Sequence, residues 1–398
     1  MKIKWPARAK LPAWHWAVAA IVGLVVVASI ATWAADTWVS IGQHFTSDAM
    51  ENGKLSSQVA SIAGELSALK SQDQYKRNEQ LSADIGNIEK TYTQTVSVYE
   101  DLLHLKDETK DTSKFDQRFA DILTTLSKHD YQTALTNLAS LKGDIASEQA
   151  KLAAAFVIPA NVPASNSPPG SGFSSQTVSA NGQSFLVRLV AGDLSSTKVI
   201  VDTASDGTCA NNCPVMSLGD YVARSGAYAG VNGSYFCPAT YPSCAGKTNS
   251  FDTLLMNKNK VYFNSDNNVY STVPAVIFGG GWVRFVSRSL EWGRDTGVDG
   301  VIANRPMLVS GGNIAFTGEG EAKEGNKGSR SFVANKGNTV YIGVVFNASV
   351  AESAQVMKTL GMDNAINLDD GGSTALWFNG YKAGPGRALP NVILFVRK

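Results

Sequence analysis

Asn364-Ala-Ile-Asn-Leu-Asp-Asp-Gly-Gly-Ser-Thr-Ala-Leu376 opens as a short apolar run and stops abruptly at Asn367, Asp369, Asp370, Gly371, Gly372, Ser373 and Thr374. Upstream, residues 350–360 carry a helical pattern closed by Gly361, and downstream Leu376-Trp377-Phe378 reads as a strand. A helix therefore feeds a buried strand whose end presents carboxylates, glycines and hydroxyls together. Glycines let backbone N–H groups approach a ligand closely, which suits a strand end to site building. Asp-Gly and Gly-Gly are also hairpin-turn signals, so spacing alone does not separate a turn from a site.

Outward from this stretch the texture is β. Residues 184–190, 198–202, 273–278, 282–286, 307–310, 332–334 and 339–345 read as strands, and Ala229-Gly-Val-Asn-Gly-Ser-Tyr-Phe236 as a strand broken at Asn232-Gly233. Helical signal is mostly confined to residues 350–360, with a short candidate at 218–225. The expectation is an α+β class: a strand-rich domain over 176–398 with a sizeable core. Cys209 and Cys213, and Cys237 and Cys244, suggest two local disulfides, although four cysteines allow three pairings. Zinc is disfavoured, because 176–398 lacks histidine and the cysteine spacings are not those of zinc sites. The same absence excludes a Ser-His-Asp or Cys-His mechanism built within that domain. Acid–base work there falls to carboxylate, tyrosine, lysine or a bound ion.

Four pieces then occur in order: Gly230-Val-Asn-Gly-Ser-Tyr-Phe236, Ser329-Arg-Ser-Phe-Val-Ala334, Ala365-Ile-Asn-Leu-Asp-Asp-Gly-Gly-Ser-Thr374 and Gly386-Arg-Ala-Leu-Pro-Asn-Val-Ile-Leu394. In this order they resemble the phosphodiester glycosidase domain family, to which the lysosomal uncovering enzyme and many bacterial exported proteins belong. The resemblance covers about residues 176–398. It implies cleavage of a sugar from a sugar-1-phosphodiester. The family pattern has glycine where this chain has Asp370, and Arg330 is followed by Ser331-Phe332-Val333 rather than Thr-Ala. Arg330 is the expected phosphate fork, since a guanidinium can grip two oxygens in one plane. Arg387 is the second cation, with a salt bridge to a nearby carboxylate as its simpler role. Asp369 is the expected reacting carboxylate, as acid, nucleophile or ligand of a divalent cation such as calcium or magnesium. Asp370 is counted with Asp369 and Arg330 as a catalytic candidate, although in an extended segment it points away from Asp369. Asn232, Asn367, Gly371, Gly372, Ser373 and Thr374 are candidates for substrate binding, and Tyr235 reads as core. The loop before Arg330, with Glu319, Glu321 and Glu324, is either plain surface or a lid.

The N-terminal part differs. Lys2, Lys4, Arg8 and Lys10 make residues 1–12 a basic tail, and 13–35 is an apolar run flanked by Trp14, Trp16 and Trp33. About 20 helical residues cross a bilayer, so an uncleaved span with a cytoplasmic N-terminus is expected over a cleaved signal peptide. Residues 45–157 read as a helical stalk or coiled coil, with Leu55, Val59, Ile62, Leu66 and Leu69 stepping by four and three. Self-association through this stalk is its functional alternative. The histidines here, including His104 and His129, read as solvated surface. Residues 158–175 read as a Pro/Ser/Gly linker. The whole chain of 398 residues is 44% hydrophobic and 17% charged, with net charge +1, which gives no reason to expect nucleic acid as a partner. Together these point to a cell-membrane protein displaying a hydrolase, or a non-catalytic module, for a phosphorylated glycan of the envelope.

Overall fold

The structure is a computed structural model that describes residues 13–318 and 325–398. The basic tail and Glu319, Glu321 and Glu324 lie outside the described residues. The fold is α+β: helices come first, one of them apolar, and a strand-rich domain follows. Two compact units divide the chain, one ending at Asn87 and one comprising Ile88–Lys398.

Helix α1 spans Ala13–Ser71. Its apolar window is Ala20–Gln43, later than the 13–35 expected, and is long and apolar enough to cross a membrane. Helix α2 spans Asp73–Glu108, α3 Ser113–Ser127 and α4 Tyr131–Ala155. Leu102, Leu105, Phe115, Ile122, Leu138, Leu141 and Ile145 bury together, so the end of α2 packs with α3 and α4 around its own core. These last helices fall in the same unit as the sheets. Asn347 donates to the Ala153 carbonyl at 2.8 Å, and Glu100 accepts from the Ser243 N–H at 3.1 Å.

The strands are β1 (Gly172–Ala180), β2 (Gln183–Asp193), β3 (Thr197–Thr203), β4 (Ala229–Asn232), β5 (Leu255–Met256), β6 (Tyr262–Phe263), β7 (Ala275–Phe278), β8 (Val283–Val286), β9 (Gly300–Ala303), β10 (Met307–Ser310), β11 (Asn313–Ile314), β12 (Gly328–Lys336), β13 (Thr339–Ala348), β14 (Asn364–Asn367), β15 (Leu376–Phe378), β16 (Tyr381–Ala383) and β17 (Asn391–Arg397). One seven-stranded sheet runs β1-β2-β13-β12-β14-β10-β11. Two five-stranded sheets run β16-β15-β4-β17-β3 and β6-β5-β9-β7-β8. The Pro/Ser/Gly segment is not free chain. Ala164 bridges Thr177, and Gln176 donates to the Ser165 and Ser167 carbonyls at 2.9 and 3.0 Å.

Helix α5 spans Leu218–Ser225 and α6 spans Val350–Thr359. Ser349 and Glu352 close a capping box on α6, and Gly361 follows its C-cap at φ 72°. Val350, Ala354, Val356 and Met357 cover one face of the large sheet with Leu308, Phe332 and Ala365. On the other face Val333, Ile342 and Ile366 meet Val201, Val231, Leu376 and Ile393 of the second sheet. The chain leaves the first sheet at Asn367, paired opposite Phe332, and enters the second at Leu376, paired opposite Val231. Residues 368–375 are therefore the crossing between two packed sheets, and the acidic and glycine-rich cluster sits on that crossing.

Candidate active site

Asp370 is the hub of the crossing. Its Oδ2 accepts from Arg330 Nη1 at 3.0 Å, from the Tyr235 hydroxyl at 3.0 Å and from Asn367 Nδ2 at 2.9 Å. Its Oδ1 accepts from the Ser331 N–H at 3.2 Å. The antiparallel register of β12 and β14 brings Ser331 and Arg330 alongside it. Arg330 is only 7% exposed. Its Nε donates to the Ala348 carbonyl at 2.9 Å and its Nη2 to the Asn326 carbonyl. The expected phosphate fork is thus spent on Asp370 and on two backbone carbonyls. The residue that departs from the family's glycine explains this, because its carboxylate takes the guanidinium edge that a phosphate would need.

Asp369 is different. It is 8% exposed, and its Oδ2 has no hydrogen-bond partner. Its Oδ1 accepts from the Asp370 N–H at 2.9 Å. Burial pushes its pKa up to about 7, with neighbouring Asp370 adding to the rise and hydrogen bonds from Ser373 and the Asp370 N–H opposing it. Tyr235 is held well above the usual tyrosine range by burial and by Asp370 and Asp369 beside it. The acidic pair is therefore split by environment: one carboxylate fully hydrogen-bonded, one left with a buried, unpartnered oxygen.

Asn232, a candidate binder, is wholly buried. Its Nδ2 donates to the Asp369 carbonyl at 2.7 Å, and its Oδ1 accepts from Ser331 Oγ at 2.8 Å and the Ala375 N–H at 3.0 Å. It staples the crossing to β12. Asn367 is equally buried and donates to Tyr235, Asp370 and the Leu368 carbonyl, with its Oδ1 unpartnered. Thr374 Oγ1 donates to the Ser329 carbonyl at 3.2 Å, and Ser373 is buried. Gly371 and Gly372 form a 3-10 turn with Ser373, and Gly371 has φ 58°, a region that favours glycine.

Beside that turn stands Arg387, whose N–H donates to the Gly372 carbonyl at 2.8 Å. Its guanidinium lies 2.5 Å from the Asp107 carboxylate, at the end of α2, and over the Tyr241 ring at 5.1 Å. A Cβ on Gly372 would overlap both the Asp107 carboxylate and the Arg387 guanidinium. His104, one helical turn earlier, meets the Tyr241 ring edge-on at 5.6 Å and lies against Gly371. Glu108 has its pKa pushed up to about 7 by burial and by Asp107, against the pull of Arg330. Asp107 itself is raised by burial, with Arg387 opposing. One wall of the site thus comes from α2, and a histidine expected at the surface stands in that wall. No sequence signal marked His104, Asp107, Glu108, Tyr241 or Asn304. The last accepts from the Tyr235 N–H at 3.1 Å and donates to the Asn367 carbonyl at 2.8 Å.

Cys209–Cys213 and Cys237–Cys244 are both disulfides, as the local pairing predicted. Among the described residues no group of three or more His, Cys, Asp or Glu is gathered to hold a metal ion. A divalent cation fits poorly, since the oxygens of Asp370 are committed to four donors and only Asp369 Oδ2 and Asn367 Oδ1 are unpartnered, fewer than the roughly six or more oxygens calcium or magnesium takes.

Residues 225–396 match the family model of the phosphodiester glycosidase domain. The resemblance carried by the four motifs is thereby shown over that span, and residues 176–224 lie outside it. Two solved structures are similar at low identity. The catalytic domain of zebrafish N-acetylglucosamine-1-phosphodiester alpha-N-acetylglucosaminidase, auto-inhibited by its pro-peptide, is 17% identical, with a TM-score of 0.45, over 60% of this chain and 87% of that one. A hypothetical protein from Synechocystis is 14% identical, with a TM-score of 0.40, over 56% of this chain. The match spans 62% of the Synechocystis protein's length. No curated protein matches the sequence.

Proposed function

We propose that the protein is a membrane-anchored, extracytoplasmic hydrolase that releases a sugar from a glycosyl-1-phosphodiester of the cell envelope. The family match supports the reaction class, and the single observation that carries the mechanism is Asp369: buried, with pKa about 7 and one unpartnered oxygen. The leaving group is a phosphate monoester, already a stable anion, so its oxygen needs little protonation. The harder task is delivering water to the anomeric carbon. A carboxylate with a raised pKa is a stronger base than an ordinary one, so Asp369 takes the water proton on Oδ2. The water oxygen bonds to the anomeric carbon, and the carbon–oxygen bond to phosphate breaks with its electron pair staying on the phosphate. The Gly371-Gly372 turn receives that anion, and Arg387 joins it by exchanging the Asp107 carboxylate for the phosphate. Arg330 acts at one remove, by holding Asp370 and through it the turn.

The test is sugar release from a panel of sugar-1-phosphodiesters by the full-length protein in detergent and by its Asp369→Asn variant. The reading requires turnover in the first and at least a hundredfold loss in the second; no turnover with any ester ends it. A second reading, a non-catalytic module for phosphorylated glycan, is favoured by the carboxylates that face both arginines. Saturable binding of the same panel without release would establish it.

A further inference from the structure

On α1, Leu55, Val59, Ile62, Leu66 and Leu69 are between 49% and 64% exposed. They step by four and three along a continuous helix, which places them in one narrow seam at the a and d positions of a heptad. Leu55, Ile62 and Leu69 are d, and Val59 and Leu66 are a. Every residue between them is small or polar: Ser56, Ser57, Gln58, Ala60, Ser61 and the rest of the run. The seam begins about 18 Å past Gln43 at a helical rise of 1.5 Å per residue, so it lies beyond the apolar span and is not lipid-facing surface.

Charge chooses the occupant. Glu65 falls at g and Lys70 at the following e. Five residues apart, they do not face each other on one helix. In a parallel, in-register pair, Glu65 of each copy faces Lys70 of the other. An antiparallel pair would set them opposite Gln58 and Ser56 instead, with no charge partner. We propose that residues 55–70 of α1 pair with the same segment of a second copy as a parallel two-stranded coiled coil, making the protein a homodimer. Two heptads are short for a free-standing coil. Neighbouring apolar helices in one membrane hold two copies side by side and raise their effective concentration. The proposal is independent of any activity.

Single cysteines test it in the full-length protein in membranes, since the native chain has no free thiol. Leu55→Cys alone and Leu69→Cys alone should each give a covalent dimer on mild oxidation. Ser57→Cys, on the outer face, should give at least tenfold less. Glu65→Lys should cut the Leu55→Cys yield several-fold, and adding Lys70→Glu should restore it. Linkage only when the Leu55→Cys and Leu69→Cys proteins are mixed would mean an antiparallel pair and overturn the proposal. No dimer at either position, or equal linkage at residue 57, would overturn it as well.

Discussion

At the scale of single residues, the two adjacent aspartates make opposite predictions. Asp369 has its folded pKa raised from 3.8 to about 7, so the folded protein holds a proton that the unfolded chain releases. Its contribution to stability is greatest at low pH and is lost as pH rises from about 4 to about 7. Asp369→Asn should therefore raise stability above pH 7 by on the order of 4 kcal/mol and leave it unchanged below pH 4, measured by urea unfolding at several pH values. The same variant should abolish turnover. In the parent protein, turnover should rise with pH through about 7 if Asp369 is a base; a fall there would assign it as an acid. Asp370→Ala, by contrast, strips a buried arginine of its partner and should cost about 3–5 kcal/mol at neutral pH. Unchanged unfolding midpoints would refute the hub role. That both carboxylates gather with the glycines on one crossing was legible from their place after a buried strand. Their division of labour was not, because it depends on Tyr235, Asn367 and Arg330, which other strands deliver.

At the scale of elements, the capped helix α6, strand β14 and strand β15 stand where hydrophobic period and glycine placement put them. Period reports which face of an element is buried, and that information is local. It does not report which element a polar face meets. The end of α2 shows the gap: His104, Asp107 and Glu108 carry no motif, yet they wall the Gly371-Gly372 turn. Asp107 occupies Arg387, so Asp107→Asn should free that guanidinium for an anion. Inorganic phosphate should bind the variant several-fold more tightly by calorimetry. Unchanged affinity would mean that Arg387 is no part of the anion site.

At the scale of the molecule, the helices after residue 87 belong with the sheets. A fragment of residues 88–398 should therefore unfold in one cooperative transition, and one of residues 158–398, which keeps β1 and the segment before it, should melt lower. The shorter piece lacks the Glu100, Asp107 and Ala153 contacts. Equal melting temperatures would make the helical segment an appendage. The bridges have their own consequence. Cys237 and Cys244 are seven residues apart, and Cys209 and Cys213 four, so neither ring constrains much of the unfolded chain. The larger ring, however, encloses Tyr241, the aromatic plate under Arg387. Thiol reduction should then leave the melting of the sheets nearly intact while loosening that plate. The fold and the placement of one ring would then answer to different bonds, the sheets to their buried side chains and Tyr241 to a single sulfur bridge.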